Sequence, residues 1–437
     1  MKKLIALLLC LAMTASLCSC TALKEVEGDK KSEQSTSAPS AQPEQTESSE
    51  PRPAESYPVL ESLGGQILVS IENNEEIHKA PDGSDQTILT FAYDTVTVHV
   101  EGNDRASERI NNSLGVLEET FYSGTGMGDG MGNGLNGMLE LATDNYTVAM
   151  ETGDDRSLEF SSARTAFVRR SDKSLLSLVY QTQVYTGGAH GIYHERAYLF
   201  DSQTGDRLTL ALLCGSSEKL DAFKAYAVDK MVKEAKNEDS GVDLSLFDDD
   251  AALKEALGNL IRETSWFLDG DGLVFFSDIY EIGSYAAGII RFRFSYDELK
   301  DYIDEKWLPT QREESGYLSV DYVNDLPDGS TTILDRVVID PEGEELCLTV
   351  SGTVYDLTVV SVGYISDDVG FYETAQHWSC SYMHDASLQI VTVLPEGMPD
   401  VMIRYTDAAG TTHSVVVTQS GEDGSLILVD DDIQAIG

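Results

Sequence analysis

Basic residues are scarce: the 437-residue chain has 30 Lys and Arg against 75 Asp and Glu, a formal net charge of −45 at pH 7. Such a surface repels nucleic acid and anionic headgroups, so no nucleic-acid partner is expected, and it attracts cationic partners at long range. Cysteine is also sparse, with six in all. No CxxC pair occurs, and no Cys/His spacing fits a structural zinc site. There is no GxSxG elbow, and His384–Asp385 has no identifiable nucleophile beside it, so the parts of a serine hydrolase are missing. Carboxylate pairs carry no information in so acidic a chain. No catalytic residue, metal or cofactor is assigned from these patterns.

The first residues are informative. Lys2 and Lys3 precede an apolar run at 4–13, LIALLLCLAM, which is too short for a stable membrane span. This is the pattern of an export signal covering residues 1–19. It ends in Leu17, Cys18, Ser19 and Cys20, which resembles the bacterial lipobox: a branched apolar residue, two small ones, then the cysteine that receives diacylglycerol. Cys20 is therefore the expected lipidation site and the expected first residue of the mature protein. Its acyl chains would hold the protein at the extracytoplasmic face of the cell membrane. Loss of Lys2 and Lys3 takes the formal charge from −45 to −47. Residues 28–57 are Ser, Glu, Gln and Pro with almost nothing apolar, too little to offset the entropy of ordering. Residues 20–57 are thus expected to be a tether.

About 380 residues remain beyond it, enough for two or more cores. Residues 66–71 and 87–100 are rich in Val, Ile, Thr and Tyr and predict strands. Residues 104–122 change period, with Ala106, Ile110, Leu114, Leu117 and Phe121 three or four apart, and predict an amphipathic helix. Gly132, Gly134 and Gly137 have GxGxxG spacing. They follow a helix inside a glycine run, which is the wrong context for a dinucleotide site, so a loop is expected. Strands are expected at 145–151, 157–169, 174–185 and 192–200, with Gly205 in a left-handed turn after the last. Helices are expected at 218–236, 249–263 and 296–304. Beyond Trp307 and Pro309 many short alternating strands separated by PDG, PEG, AAG and EDG predict an all-β, sandwich-like domain over 315–437. Cys347 and Cys380 lie in that region and could form a disulfide in an oxidising exterior.

Four stretches in order, VYTGGAHGIYHERAYLFDSQTGDRLTL, WFLDGDGLVFF, YEIGSYAAG and IIRFRFSYDELKDYI, resemble the extracytoplasmic domain of RsiV-like proteins. That family comprises lysozyme-responsive anti-sigma factors, and the domain also occurs as an accessory module of polysaccharide deacetylases. The resemblance covers 58–304 and implies an α+β fold with helices packed on a curved antiparallel sheet. It also implies that the YEIGSYAAG loop contributes a binding surface, with Tyr280 and Tyr285 as amphipathic aromatic contacts. Relatives often have proline where this chain has Ser284, so the loop lacks a fixed backbone angle there. The anti-sigma relatives also carry a cytoplasmic segment and a transmembrane helix. This chain has a lipid signal in their place, and the metal-dependent domain of the deacetylases has no counterpart.

Two motifs look like chemistry. His190 and His194 are four apart, as zinc ligands on a helix would be. Gly187, Gly188 and Gly191 oppose a helix, and along a strand positions i and i+4 are about 13 Å apart, too far for joint coordination. Gly187, Gly188 and His190 are expected instead to shape a turn. Asp269 and Asp271 in DGDG lack the later ligands of a calcium loop and suit a hairpin turn. The expected function is a lipid-anchored, non-catalytic binding protein of the cell envelope. Its partner would be a cationic protein such as lysozyme, or a cell-wall component. The alternative is a cell-envelope enzyme or accessory subunit acting on peptidoglycan.

Overall fold

The computed structural model describes residues 65–124, 134–153, 158–309, 312, 315–325, 333–366, 370–394, 400–420 and 424–430. The export signal, Cys20 and the tether lie outside the described residues. Strands β1 (Ile67–Lys79) and β2 (Thr87–Val100) form a long antiparallel hairpin. Helix α1 (Asp104–Ser123) follows, capped by the Asn103 side chain, which accepts from the Ala106 N–H, and closed by Gly124 at φ +69°. Helix α2 spans Gly134–Thr152. The two helices make the crossover that lets β3 (Phe160–Ser171) run parallel to β2. Strands β4 (Leu175–Tyr185) and β5 (Ile192–Asp201) then add antiparallel neighbours.

Helices α3 (Leu210–Cys214), α4 (Ser217–Ala235) and α5 (Asp250–Asn259) come next. A small sheet of β6 (Trp266–Leu268), β7 (Gly272–Phe276) and β8 (Arg291–Ser295) leads into the short α6 (Tyr296–Leu299), which has a Ser295–Glu298 capping box. The remaining strands are β9 (Tyr317–Tyr322), β10 (Ile333–Val338), β11 (Glu344–Ser351), β12 (Thr353–Ser366), β13 (Gly370–His384), β14 (Ser387–Thr392), β15 (Val401–Thr406), β16 (Thr412–Gln419) and β17 (Leu426–Asp430). They complete a ten-stranded sheet, β17-β16-β15-β12-β13-β1-β2-β3-β4-β5, and a four-stranded one, β10-β14-β11-β9.

Alternation along the strands explains the layers. In β1, Ile67, Val69 and Ile71 face α1, while Leu68 packs on the C-terminal core. In β4, Leu176, Leu178 and Tyr180 face α1; Leu175 and Val179 face α3 to α6 and the small sheet. Under β12, β13, β15 and β16 the covering layer is the four-stranded sheet, through Leu346, Leu348, Leu388 and Ile390. The α+β class with a β-rich C-terminal region is therefore the observed architecture.

Several sequence expectations need revision. Residues 145–151 belong to α2 and not to a strand: Leu135, Met138, Ala142, Tyr146 and Ala149 are buried at helical spacing. Gly134 and Gly137, expected in a loop, lie in its first turn, and Gly132 lies outside the described residues. The helix expected at 296–304 stops at Leu299, and the one expected at 249–263 stops at Asn259. Cys214, Cys347 and Cys380 are all free thiols, so the Cys347–Cys380 bridge is not formed. Leu346 and Leu348 share a core with Cys380, so Cys347 between them projects from the other face of β11.

The sheet also runs across the boundary drawn near residues 304–315. Leu68 pairs with Cys380 and Ser70 with Trp378, joining β1 to β13. Where β3 passes β13 the Gln376 amide replaces a ladder rung: the Val168 N–H donates to its Oε1 at 2.6 Å, and its Nε2 donates to the Val168 carbonyl at 3.3 Å.

Candidate binding surface

The glycine-histidine stretch forms the turn between β4 and β5. Gly187 has φ +76° and Gly188 φ +155°, which side chains rarely adopt, so both glycines serve the turn. The Tyr185 hydroxyl donates to the Gly188 carbonyl at 3.2 Å. His190 then stacks on Tyr285, ring centroids 3.8 Å apart and planes 24° from parallel. Its Nδ1 lies 2.9 Å from the Gly191 carbonyl, which can only accept, so Nδ1 carries the proton. Its Nε2 faces the Tyr280 hydroxyl, 3.3 Å away. Tyr285 donates its own hydroxyl to the same Gly191 carbonyl at 3.0 Å. The expected turn residues and the expected aromatic contacts thus form one cluster.

The loop carrying the tyrosines runs between β7 and β8. Its neck is closed by Ser277 and Ile290, each of which donates a backbone N–H to the other residue, at 3.0 and 3.1 Å. Arg196 on β5 holds Asp278 at 2.7 Å, and Arg262 holds Glu281 through two bonds of 2.9 Å. Glu281 also accepts from the Asp278 N–H at 2.8 Å. Deeper in, Arg291 grips the buried Glu195 carboxylate at 2.8 and 2.9 Å. The two-nitrogen pairs of Arg196 and Arg262 fix orientation as well as charge. Tyr193 packs edge-on against Tyr285, and burial raises its phenol above the ordinary tyrosine value.

Tyr280 is the outermost member. It is 56 % exposed and holds φ +64°, a left-handed conformation that costs a non-glycine residue about 1–2 kcal/mol. Ser284 has φ −75° and ψ 164°, so the chain already adopts the backbone angle that proline would impose. The ion pairs that anchor the loop escape sequence reasoning because their partners lie 82, 19 and 96 residues apart. No local spacing records them.

The other reactive-looking side chains sit within turns and strands of the fold. His194 is buried in β5 while His190 lies in the turn, so the two do not share a site. Among the described residues no group of three or more His, Cys, Asp or Glu side chains is placed to hold a metal ion. Asp269 accepts from the N–H groups of Asp271 and Gly272 and pairs with Arg293 at 2.6 Å, as a hairpin-turn residue does. His384 does have a hydroxyl neighbour, Thr353 Oγ1 at 2.8 Å, but Thr353 is fully buried and out of a substrate's reach. A cavity of about 30 Å³ beside Arg170, Asp172, Arg312 and Asp356 has room for little more than water. Among the described residues no helix is long and apolar enough to cross a membrane.

Known proteins add one label. No curated protein matches the sequence. Among the solved structures that the chain resembles are two of the DUF3298 family. The one from Bacteroides fragilis NCTC 9343 is 16 % identical, with 55 % of this chain and 94 % of that chain covered and a TM-score of 0.38. The one from Pseudomonas aeruginosa PAO1 is 16 % identical, with coverage of 55 % and 97 % and a TM-score of 0.36. The family model itself, described as a protein of unknown function (DUF3298), matches residues 214–297. That span takes in α4, α5, the small sheet and the Tyr280 loop, so the likeness to this family of unknown function lies there.

Proposed function

We propose that the protein is a lipid-anchored, extracytoplasmic binding protein of the cell envelope. In this reading Cys20 carries the anchor, residues 20–57 are the spacer, and the surface around Tyr280 captures a protein or cell-wall ligand without catalysing a reaction. The partner is a cationic protein, with lysozyme the first to test, since the RsiV-like resemblance and the net charge of −45 both favour it.

The observation that carries this reading is Tyr280 itself. A large aromatic side chain stands exposed on a strained backbone, backed by a stacked histidine and tyrosine and held by three ion-paired arginines. Strain of this kind persists where surrounding structure over-determines it, and rigid aromatic anchors are what binding interfaces use. Calorimetric titration of the mature protein with lysozyme at moderate salt tests the reading. Binding is expected, with Tyr280→Ala weakening it about thirtyfold or more, as for an interface hot spot. No binding at tens of micromolar would sink the lysozyme version.

A further inference from the structure

Leu244 and Leu246 belong to one short 3-10 turn, and they are 44 % and 54 % exposed. Their neighbours Val242 and Phe247 point inward and pack on the helix-side core. The turn is firmly held. Asp243 accepts from the Ser245 N–H at 3.0 Å and from its hydroxyl at 2.6 Å. The Asp243 N–H donates to the Ile282 carbonyl at 2.9 Å, in the loop that bears Tyr280 and Tyr285. Backbones touch there: a Cβ on Gly283 would lie 2.6 Å from the Gly241 carbonyl oxygen. Two leucines are thus presented rigidly to water beside the tyrosine loop, with little ordering entropy left to lose on binding.

Charge on this turn has one sign. No Lys or Arg lies between Lys236 and Lys254, and Glu238, Asp239 and Asp248 flank the leucines as exposed carboxylates. Asp249 caps α5 and Asp250 pairs with Lys236, so those two have structural work. The geometry points to a docking surface at 238–248 for a basic, apolar-tipped segment of a cationic protein. The segment's apolar side chain covers Leu244 and Leu246, and its Lys or Arg side chains meet Glu238, Asp239 and Asp248. This rests on the binding role above, to which it adds a second contact. An apolar centre inside a charged rim is the ordinary anatomy of a specific interface.

The probe is an amidated peptide of alternating lysine and leucine, titrated into the mature protein by calorimetry. Binding that weakens as salt rises is expected. The double variant Leu244→Ser with Leu246→Ser keeps the charge and should weaken binding about tenfold or more. A peptide that fails to bind, or that binds the leucine variant as well as the parent, overturns the docking surface. Peptide binding lost in the leucine variant, alongside no binding of lysozyme, supports the surface and overturns lysozyme as the partner.

Discussion

One sheet is covered in two different ways. Along β1 to β5, α1 and α2 lie on one face, and under β4 and β5 the other face carries α3 to α6 with the small sheet. Under β12, β13, β15 and β16 the cover is a second sheet. Both halves bury polar side chains, Glu195 and Arg170 in one and Gln376 and His377 in the other, and the difference shows in what reaches solvent. Between the two sheets Cys380 is fully buried. Burial drives the Cys380 thiol well above its ordinary value, so it is inert. The helix-covered half instead projects a loop at the β5 edge, where His190, Tyr280 and Tyr285 meet solvent. Candidate function thus gathers where the cover is made of helices and loops.

The largest expected effect tests whether these halves are separate at all. Trp378 and Phe223 are both fully buried, one between the sheets and one on the inner face of α4. Replacing either by alanine should cost about 3–5 kcal/mol. Trp378→Ala should cost more, because β13 is paired with both β12 and β1. Guanidinium unfolding, followed by circular dichroism and tryptophan fluorescence, should show one shared transition moving in both variants. Two transitions, each moved by only one variant, would divide the molecule near residue 310.

A smaller effect comes from two buried groups that titrate oppositely, one in each half. Burial pushes the Asp94 carboxyl up to about 6, against the bonds it accepts from Ala166 N–H and Asn73 and the nearby Arg164 charge. Burial alone lowers the His377 imidazole to about 4. Between pH 4 and 6 folded Asp94 keeps a proton that the unfolded chain has released, so its contribution falls as pH rises. Over that range unfolded His377 holds a proton that the folded chain lacks, so its contribution rises with pH. Each is worth about 3 kcal/mol at most, from shifts of about two units. Relative to the parent, Asp94→Asn should steepen the gain of stability from pH 4 to 6, and His377→Gln should flatten or reverse it. Urea midpoints across that range check this, and parallel curves for all three proteins would refute it.

The contrast also explains what could be read from the chain. Helix α1 was legible because Ala106, Ile110 and Leu114 keep helical period on an otherwise polar segment. Helix α2 was hidden: Tyr146, Thr147 and Val148 have strand propensity, and burial of Ala142, Tyr146 and Ala149 against β2 overrides it. Strand β13 has a weak apolar alternation because its buried residues include Gln376, His377, Ser379 and Ser381. Ser381 receives the Ile67 N–H and Gln376 serves Val168, partners some 200 to 300 residues away. Residue types alone pointed to His190, Tyr280 and Tyr285. The arginines that fix them could not be paired without the fold.

The smallest effect bears on the loop that sets the helix-covered half apart. Ser284 already sits at φ −75°, and its side chain makes no capping bond. Gly283 before it has no Cβ to meet the proline ring. Ser284→Pro should therefore remove freedom from the unfolded chain without straining the folded one, and stabilise the protein by about half a kcal/mol. Thermal unfolding should shift slightly upward, with the Tyr280 surface unchanged in lysozyme titrations. A fall in melting temperature would mean that the Ser284 N–H or its neighbours resist the ring, and that the loop depends on contacts at this residue more than on its backbone angle. A rise would mean that the Tyr280 loop is held chiefly by its arginine pairs, with Ser284 free to vary.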